Sequence, residues 1–266
     1  MTRTLRFATF LAPNMLPVYE FIAEHIGRHL NCRTTLMVGT AFDQFGSGEI
    51  DAGFICGLPY IELARQVPAP VELLAAPVIS GARYGGRPIY FSDVIVRRGS
   101  TVESFADLRG RSWAYNDLDS HSGYNLTRYH LVRLGETRGF FSRVIEAGFH
   151  QRAVEMVVAG EIDATAVDSQ VLAIALRDQP GLAEELRVID VLGPSTIQPV
   201  LAARHLPVDL RAALRTILLK MSDDRAARME LAQGFVERFV PIADADYDDI
   251  RDMLAVAENA RFLTIR

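Results

Sequence analysis

The sequence predicts an α/β protein made of two similar lobes joined by two extended crossings. Three observations carry this reading. Short apolar runs alternate with helix-like segments from the first residues onward. The pentapeptide Gly48-Glu49-Ile50-Asp51-Ala52 recurs 112 residues later as Gly160-Glu161-Ile162-Asp163-Ala164. Two stretches without helical patterning, near Tyr90–Val96 and Ser195–Ala202, fall where the chain would leave and re-enter the first lobe.

The elements follow in order. Leu5–Leu11 is apolar and β-prone, and Leu16–Leu30 has the apolar spacing of a helix. Thr34–Val38 reads as a short strand, and Asp51–Cys56 as a continuous buried strand ending at Gly57. Such runs, separated by helices, point to parallel sheets covered on both faces. Each copy of the repeat ends a helix-like segment with a glycine, suited to a left-handed C′ position, and then enters a buried strand. Upstream, Ser112–Asn116 is the counterpart of Leu5–Leu11. Three helices are expected after Pro207, over Val208–Met221, Ala226–Phe239 and Asp246–Ala257. The expected division is residues 1–93 with 196–266 as lobe one and residues 94–195 as lobe two, with the crossings as a hinge that closes on a ligand.

The chain has 266 residues, a net charge of −5, 49% hydrophobic and 23% charged residues, as in a globular protein with a large core. With both charge signs interspersed, nothing is basic enough to track a phosphate backbone, so no nucleic acid is expected as partner. No apolar run approaches the roughly 20 residues of a membrane span, so no direct membrane insertion is expected. The N-terminal run Phe7–Ala12 is too short for a signal-peptide core, so an export signal was removed or never existed. Cys32 and Cys56 read as small buried residues, and their pairing is left open.

In parallel α/β sheets, ligands meet the loops after the carboxyl ends of strands. Here those loops follow Leu11, Cys56, Asn116 and Val167. Asn116-Asp117-Leu118-Asp119-Ser120-His121-Ser122-Gly123-Tyr124 leads into a helix pattern over Asn125–Leu134. Its hydroxyls and main-chain amides form a cradle for an anion, or one of the serines simply caps the helix. His150 stands at another helix start and is either a ligand group or structural. Asp168 ends the buried run Ala164–Val167, where it caps the next helix or faces the ligand. Tyr60 occupies the matching loop of lobe one, with ordinary packing as the alternative. His121, His150 and Asp168 lack short-range metal-ligand spacing, and neither a nucleophile elbow nor a phosphate-binding Gly-Lys loop is present, so no metal, cofactor or catalytic residue is expected.

The stretch Tyr90-Phe91-Ser92-Asp93-Val94-Ile95-Val96-Arg97-Arg98-Gly99-Ser100, then Phe105-Ala106-Asp107-Leu108-Arg109-Gly110-Arg111, then Ser120-His121-Ser122-Gly123-Tyr124, resembles the phosphate, phosphite and phosphonate solute-binding proteins of ABC transporters. Gly148-Phe149-His150 resembles the family's helix start, and Asp163–Ser169 its second-lobe strand and acid. The resemblance runs from about residue 4 to 222. It implies a type II periplasmic-binding (venus-flytrap) fold and capture of a small oxyanion, phosphate-like or phosphonate-like, in the cleft between lobes. By the same carry-over Ser120, His121 and Ser122 would hold the oxyanion, Tyr60 and Tyr90 would donate hydroxyl hydrogen bonds, and His150 and Asp168 would complete the pocket. Asp168 would there accept a proton from the ligand. Histidine stands at 121 where the family has threonine. The implied partner is an ABC transporter permease, the chain acting as a monomer in the periplasm; a cytoplasmic location fits the missing signal. A chorismate dehydratase-like enzyme and a cytosolic ligand sensor are the alternative functions on this fold.

Overall fold

A computed structural model describes residues 4–265. The chain divides into two compact units. The first holds the chain up to Ile89 together with Thr196–Asp248; the second holds Tyr90–Ser195 together with the chain from Asp249 onward.

In the first unit a six-stranded sheet has the order β11-β4-β10-β3-β1-β2. Its strands are β1 (Thr4–Thr9), β2 (Arg33–Val38), β3 (Ala52–Phe54), β4 (Val71–Ile79), β10 (Val200–Ala203) and β11 (Val236–Val240). The helix α1 (Leu16–Leu30) links β1 to β2. It has Pro17 in its first turn, where a missing N–H costs nothing, and Val18, Ile22, Ala23 and Ile26 buried along one face. Asn31, left-handed at φ 49°, ends it. Around it Phe7, Ile22, Ile26, Phe45 and Ile50 are fully buried, and Tyr19 stacks on Phe54 at 4.1 Å. The short α2 (Gln44–Ser47) and α3 (Gly57–Ala64) flank β3 in sequence.

In the second unit a five-stranded sheet has the order β7-β6-β8-β5-β9. Here β5 is Ile89–Arg97, β6 Ser112–Tyr115, β7 Arg143–Glu146, β8 Ala164–Asp168 and β9 Leu186–Thr196. The helices are α4 (Leu126–Arg133), α5 (His150–Ala159), α6 (Ser169–Asp178) and α7 (Leu182–Glu185). Every residue of β8 is buried, as its place inside the sheet requires. Trp113 is the centre of the core, stacked on Phe141 at 4.8 Å with Phe105, Phe140 and Leu131 around it.

The repeat occupies equivalent positions in the two units. Gly48 (φ 80°) ends α2 and Gly160 (φ 74°) ends α5, both in the left-handed region a Cβ disfavours. Ile50 and Ile162 are buried behind them. Asp51 then accepts the main-chain N–H of Arg6 in β1 at 2.8 Å, and Asp163 accepts that of Ser112 in β6 at 2.8 Å. The strands that follow pair in parallel with those partners, β3 with β1 and β8 with β6. The carboxylate of each copy pins the start of its own βαβ pair.

Three expectations need correction. The sheets are mixed rather than parallel: β5 runs antiparallel to β8, β10 to β3 and β4, and β11 to β4. Strands β5 and β10 follow the points where the chain enters a unit without a crossover helix, so no βαβ connection forces them parallel. The helix expected over Ala226–Phe239 stops early, at Ala232, as α9 (Arg225–Ala232). Beyond Gly234, Val236–Val240 buries Val236 and Phe239 across an irregular register and pairs with β4 as a strand. The last segment, placed with lobe one, instead groups with the second unit from Asp249 on. After α8 (Val208–Lys220) and α9, the helix α10 (Asp248–Asn259) leads to Phe262 and Ile265, which pack into the Trp113 core.

Candidate functional site

The loop after β6 gathers most of the candidate residues. The Ser120 side chain accepts the N–H of Gly123 at 3.1 Å and is the cap of the helix that follows. That helix opens with a π turn over His121–Asn125, in which the Asn125 N–H reaches back to the Ser120 carbonyl at 3.0 Å. The wider turn continues into α4, so the helical run extends from His121 to Arg133. Its first-turn amides point out of the N-terminus, the polarity that suits an anion. Asn125–Leu134, expected as the helix, thus gives Asn125 to the π turn and begins α-helix at Leu126.

Ser122 is the centre of the group. Its Oγ lies 3.0 Å from Nε2 of His150, the first residue of α5, and 3.4 Å from the Ser120 hydroxyl. The Ser92 hydroxyl of β5 donates to the Ser122 carbonyl at 2.8 Å, inside the protein. These contacts bring Ser120, Ser122 and His150 together, joining the loops after β6 and β7. Burial pushes the His150 pKa down to about 4, so its imidazole is neutral at physiological pH.

His121 is turned the other way. Its Nε2 lies 2.9 Å from the Ser195 hydroxyl at the end of β9, and its Nδ1 lies 3.2 Å from the Asn125 amide nitrogen. An amide N–H2 only donates, so Nδ1 accepts and Nε2 carries the proton. Burial lowers the pKa of this ring to about 3. The ring therefore ties the loop to β9, beside the Tyr90 ring at 6.4 Å between centroids. Tyr90 itself is buried in β5.

Asp168 takes the capping role. Its Oδ1 accepts the N–H groups of Gln170 at 2.8 Å and Val171 at 3.3 Å, at the start of α6. Tyr60 belongs to the first unit, in α3, where its hydroxyl donates to Asp244 at 2.7 Å and its ring sits 4.7 Å from that of Tyr247. It borders a hollow of about 320 Å³ lined also by Glu72, Arg204 and Arg215. Among the described residues no cluster of three or more His, Cys, Asp or Glu side chains is placed to hold a metal ion.

Sequence reasoning passed over two participants. Ser92 lies in a strand pattern that reads as pure core, and only its pairing opposite Asp168 brings it to the loop. Asn116 stands just beyond β6 with its Oδ1 buried, and a Cβ on Gly123 would come within 1.9 Å of that oxygen and 3.2 Å of His150 Cε1. Glycine at 123 is what allows the three groups to meet.

A family model described as "ABC transporter, phosphonate, periplasmic substrate-binding protein" matches residues 11–247. Among solved structures, a binding protein component of an ABC phosphonate transporter from Pseudomonas aeruginosa aligns with a TM-score of 0.86 at 16% identity, covering 98% of this chain and 88% of that one. PhnD1 from Prochlorococcus marinus, in complex with methylphosphonate, aligns with a TM-score of 0.83 at 15% identity, covering 97% and 98%. The alkanesulfonate-binding protein SsuA from Xanthomonas axonopodis pv. citri, bound to MOPS, aligns with a TM-score of 0.67 at 17% identity, covering 98% and 94%. At these identities the likeness is one of fold: the two-lobed type II periplasmic-binding architecture. With the family model spanning most of its length, the chain belongs to the periplasmic substrate-binding proteins of phosphonate ABC transporters.

Proposed function

We propose that the protein captures a small phosphonate at the loop that Ser120, Ser122 and His150 build, and presents it to the permease of its transporter. The observation that carries this reading is the Ser120–Ser122–His150 group at the start of a helical run. It concentrates hydroxyls, a neutral imidazole and outward-pointing amides where an oxyanion is favoured. The His121 ring serves here as a brace, so this residue contributes main chain rather than imidazole. Tyr90 and Asp168 frame the loop from β5 and β8.

In this reading the chain works as a monomer, binds and releases its ligand unchanged, and needs no cofactor. Ser122 and His150 do stand at the spacing of a nucleophile and its base. Membership of a binding-protein family favours capture over turnover. Incubation with methylphosphonate, followed by mass spectrometry of the small molecules, should return the ligand alone. A thermal-shift series with methylphosphonate, phosphate, sulfate and simple carboxylates tests the ligand class. At a hundredfold excess over the dissociation constant the true ligand adds about 2.7 kcal/mol of stability. A carboxylate that stabilises while methylphosphonate does not would overturn the assignment.

A further inference from the structure

Two buried polar atoms beside Ser122 have no hydrogen-bond partner among the described residues: Asn116 Oδ1 and His150 Nδ1. Strands β6 and β7 pair in parallel with Tyr115 opposite Glu146, so the loops carrying Asn116 and His150 leave the sheet side by side. Both groups converge on one face of Gly123, where a Cβ would lie 1.9 Å from Asn116 Oδ1 and 3.2 Å from His150 Cε1, the ring carbon between Nδ1 and Nε2.

An amide oxygen only accepts, and a neutral imidazole carries a single N–H. With that proton on Nε2, two buried acceptors would face the same space unsatisfied, a costly arrangement. With the proton on Nδ1, one bridging water can join it to Asn116 Oδ1, and the Nε2 lone pair is left for Ser122.

We propose that Asn116 is a positioning residue that holds His150 as the Nδ1–H tautomer, so that the Ser122 hydroxyl donates its hydrogen bond to His150 Nε2 and offers only lone pairs to the ligand. This rests on the ligand site proposed above and adds a selection rule to it. A ligand oxygen meeting Ser122 Oγ must bring its own proton. A phosphonate monoanion has a P–O–H group; a sulfonate of the same shape has none. The site therefore accepts the first and rejects the second by leaving lone pairs against lone pairs.

The test combines nitrogen-15 NMR of the His150 ring with calorimetry, using methylphosphonate and methanesulfonate as probes on wild type, Asn116→Ala and Asn116→Asp. The wild-type ring should be protonated on Nδ1, and methylphosphonate should bind the more tightly. Asn116→Ala should mix the tautomers and reduce the preference for methylphosphonate by about tenfold or more. Asn116→Asp, which keeps an acceptor at that place, should preserve the tautomer. A wild-type ring protonated on Nε2, or an unchanged preference in Asn116→Ala, overturns the inference. Ser122→Ala separates the two levels. If it weakens methylphosphonate binding while the tautomer is Nε2–H, only this inference fails; if it leaves binding unchanged, the site assignment fails with it.

Discussion

The hydroxyl of Ser122 lies 3.0 Å from Nε2 of His150, a contact that joins loops 28 residues apart in sequence. It divides the labour within Ser120-His121-Ser122. Ser120 caps the helix, His121 braces it against Ser195, and the Ser122 hydroxyl meets His150.

Ser120→Ala and Ser122→Ala should each lose stability, for different reasons. Loss of the cap at 120 should cost about 1 kcal/mol of stability. Loss of the hydroxyl at 122 leaves the cap intact but removes the partner of the buried His150 Nε2, so it should cost about 1–3 kcal/mol. Melting curves of the two unliganded variants check this. An unchanged melting temperature in Ser120→Ala would contradict its capping role.

Stability should fall on mild acidification. His121 and His150 titrate near pH 3 and 4 in the folded chain because of burial, against about 6.5 when unfolded. Between those values the unfolded state binds more protons, so stability rises with pH through this window and is fully present above pH 6.5. His25 and His130, also lowered mainly by burial, act in the same direction. Urea midpoints at pH 7 and 4.5 should show the loss, and His121→Asn should shrink the difference. Equal midpoints at the two pH values would contradict the buried neutral state of these rings.

The repeated aspartates predict matched defects. Asp51→Ala strands the N–H of Arg6 and removes contacts to the Arg6 guanidinium and to His205. Asp163→Ala strands the N–H and hydroxyl of Ser112. Each should cost about 1–3 kcal/mol, the range for an orphaned buried group. Trp113, the single tryptophan, lies in the second unit. Its fluorescence should report the Asp163→Ala loss directly.

Trp113→Ala should cost about 3–5 kcal/mol. The ring is fully buried, stacks on Phe141 and meets Phe105 edge-on, so its removal leaves a cavity that rigid neighbours cannot fill. Chemical denaturation followed by circular dichroism measures it. A loss under 1 kcal/mol would mean that this core repacks freely.

Much of this was legible in the residues because it is local. The Leu16–Leu30 helix, the His150–Ala159 helix and the glycine ends of the two repeats follow from apolar spacing and backbone preference within a few residues. The Ser-His-Ser-Gly-Tyr loop announced itself by its position after a strand. What could not be read depends on partners far away in sequence. The strand β11 looks like the tail of a helix until β4 is beside it. The final segment declares its unit only when Phe262 meets the Trp113 core and its carbonyl takes the Arg128 Nε–H at 2.9 Å. Asp168 offered two roles, and the geometry of α6 uses it as a cap. The bracing role of His121 required Ser195, 74 residues on.

The central claim is that a phosphonate is held at Ser122 beside His150. Calorimetric titration of methylphosphonate into wild type and Ser122→Ala tests it most directly. Wild type should bind one equivalent, and the variant should bind about ten- to a hundredfold more weakly, as expected for one lost hydrogen bond to a charged group. Identical affinities in the two proteins, or no binding by wild type, would contradict it.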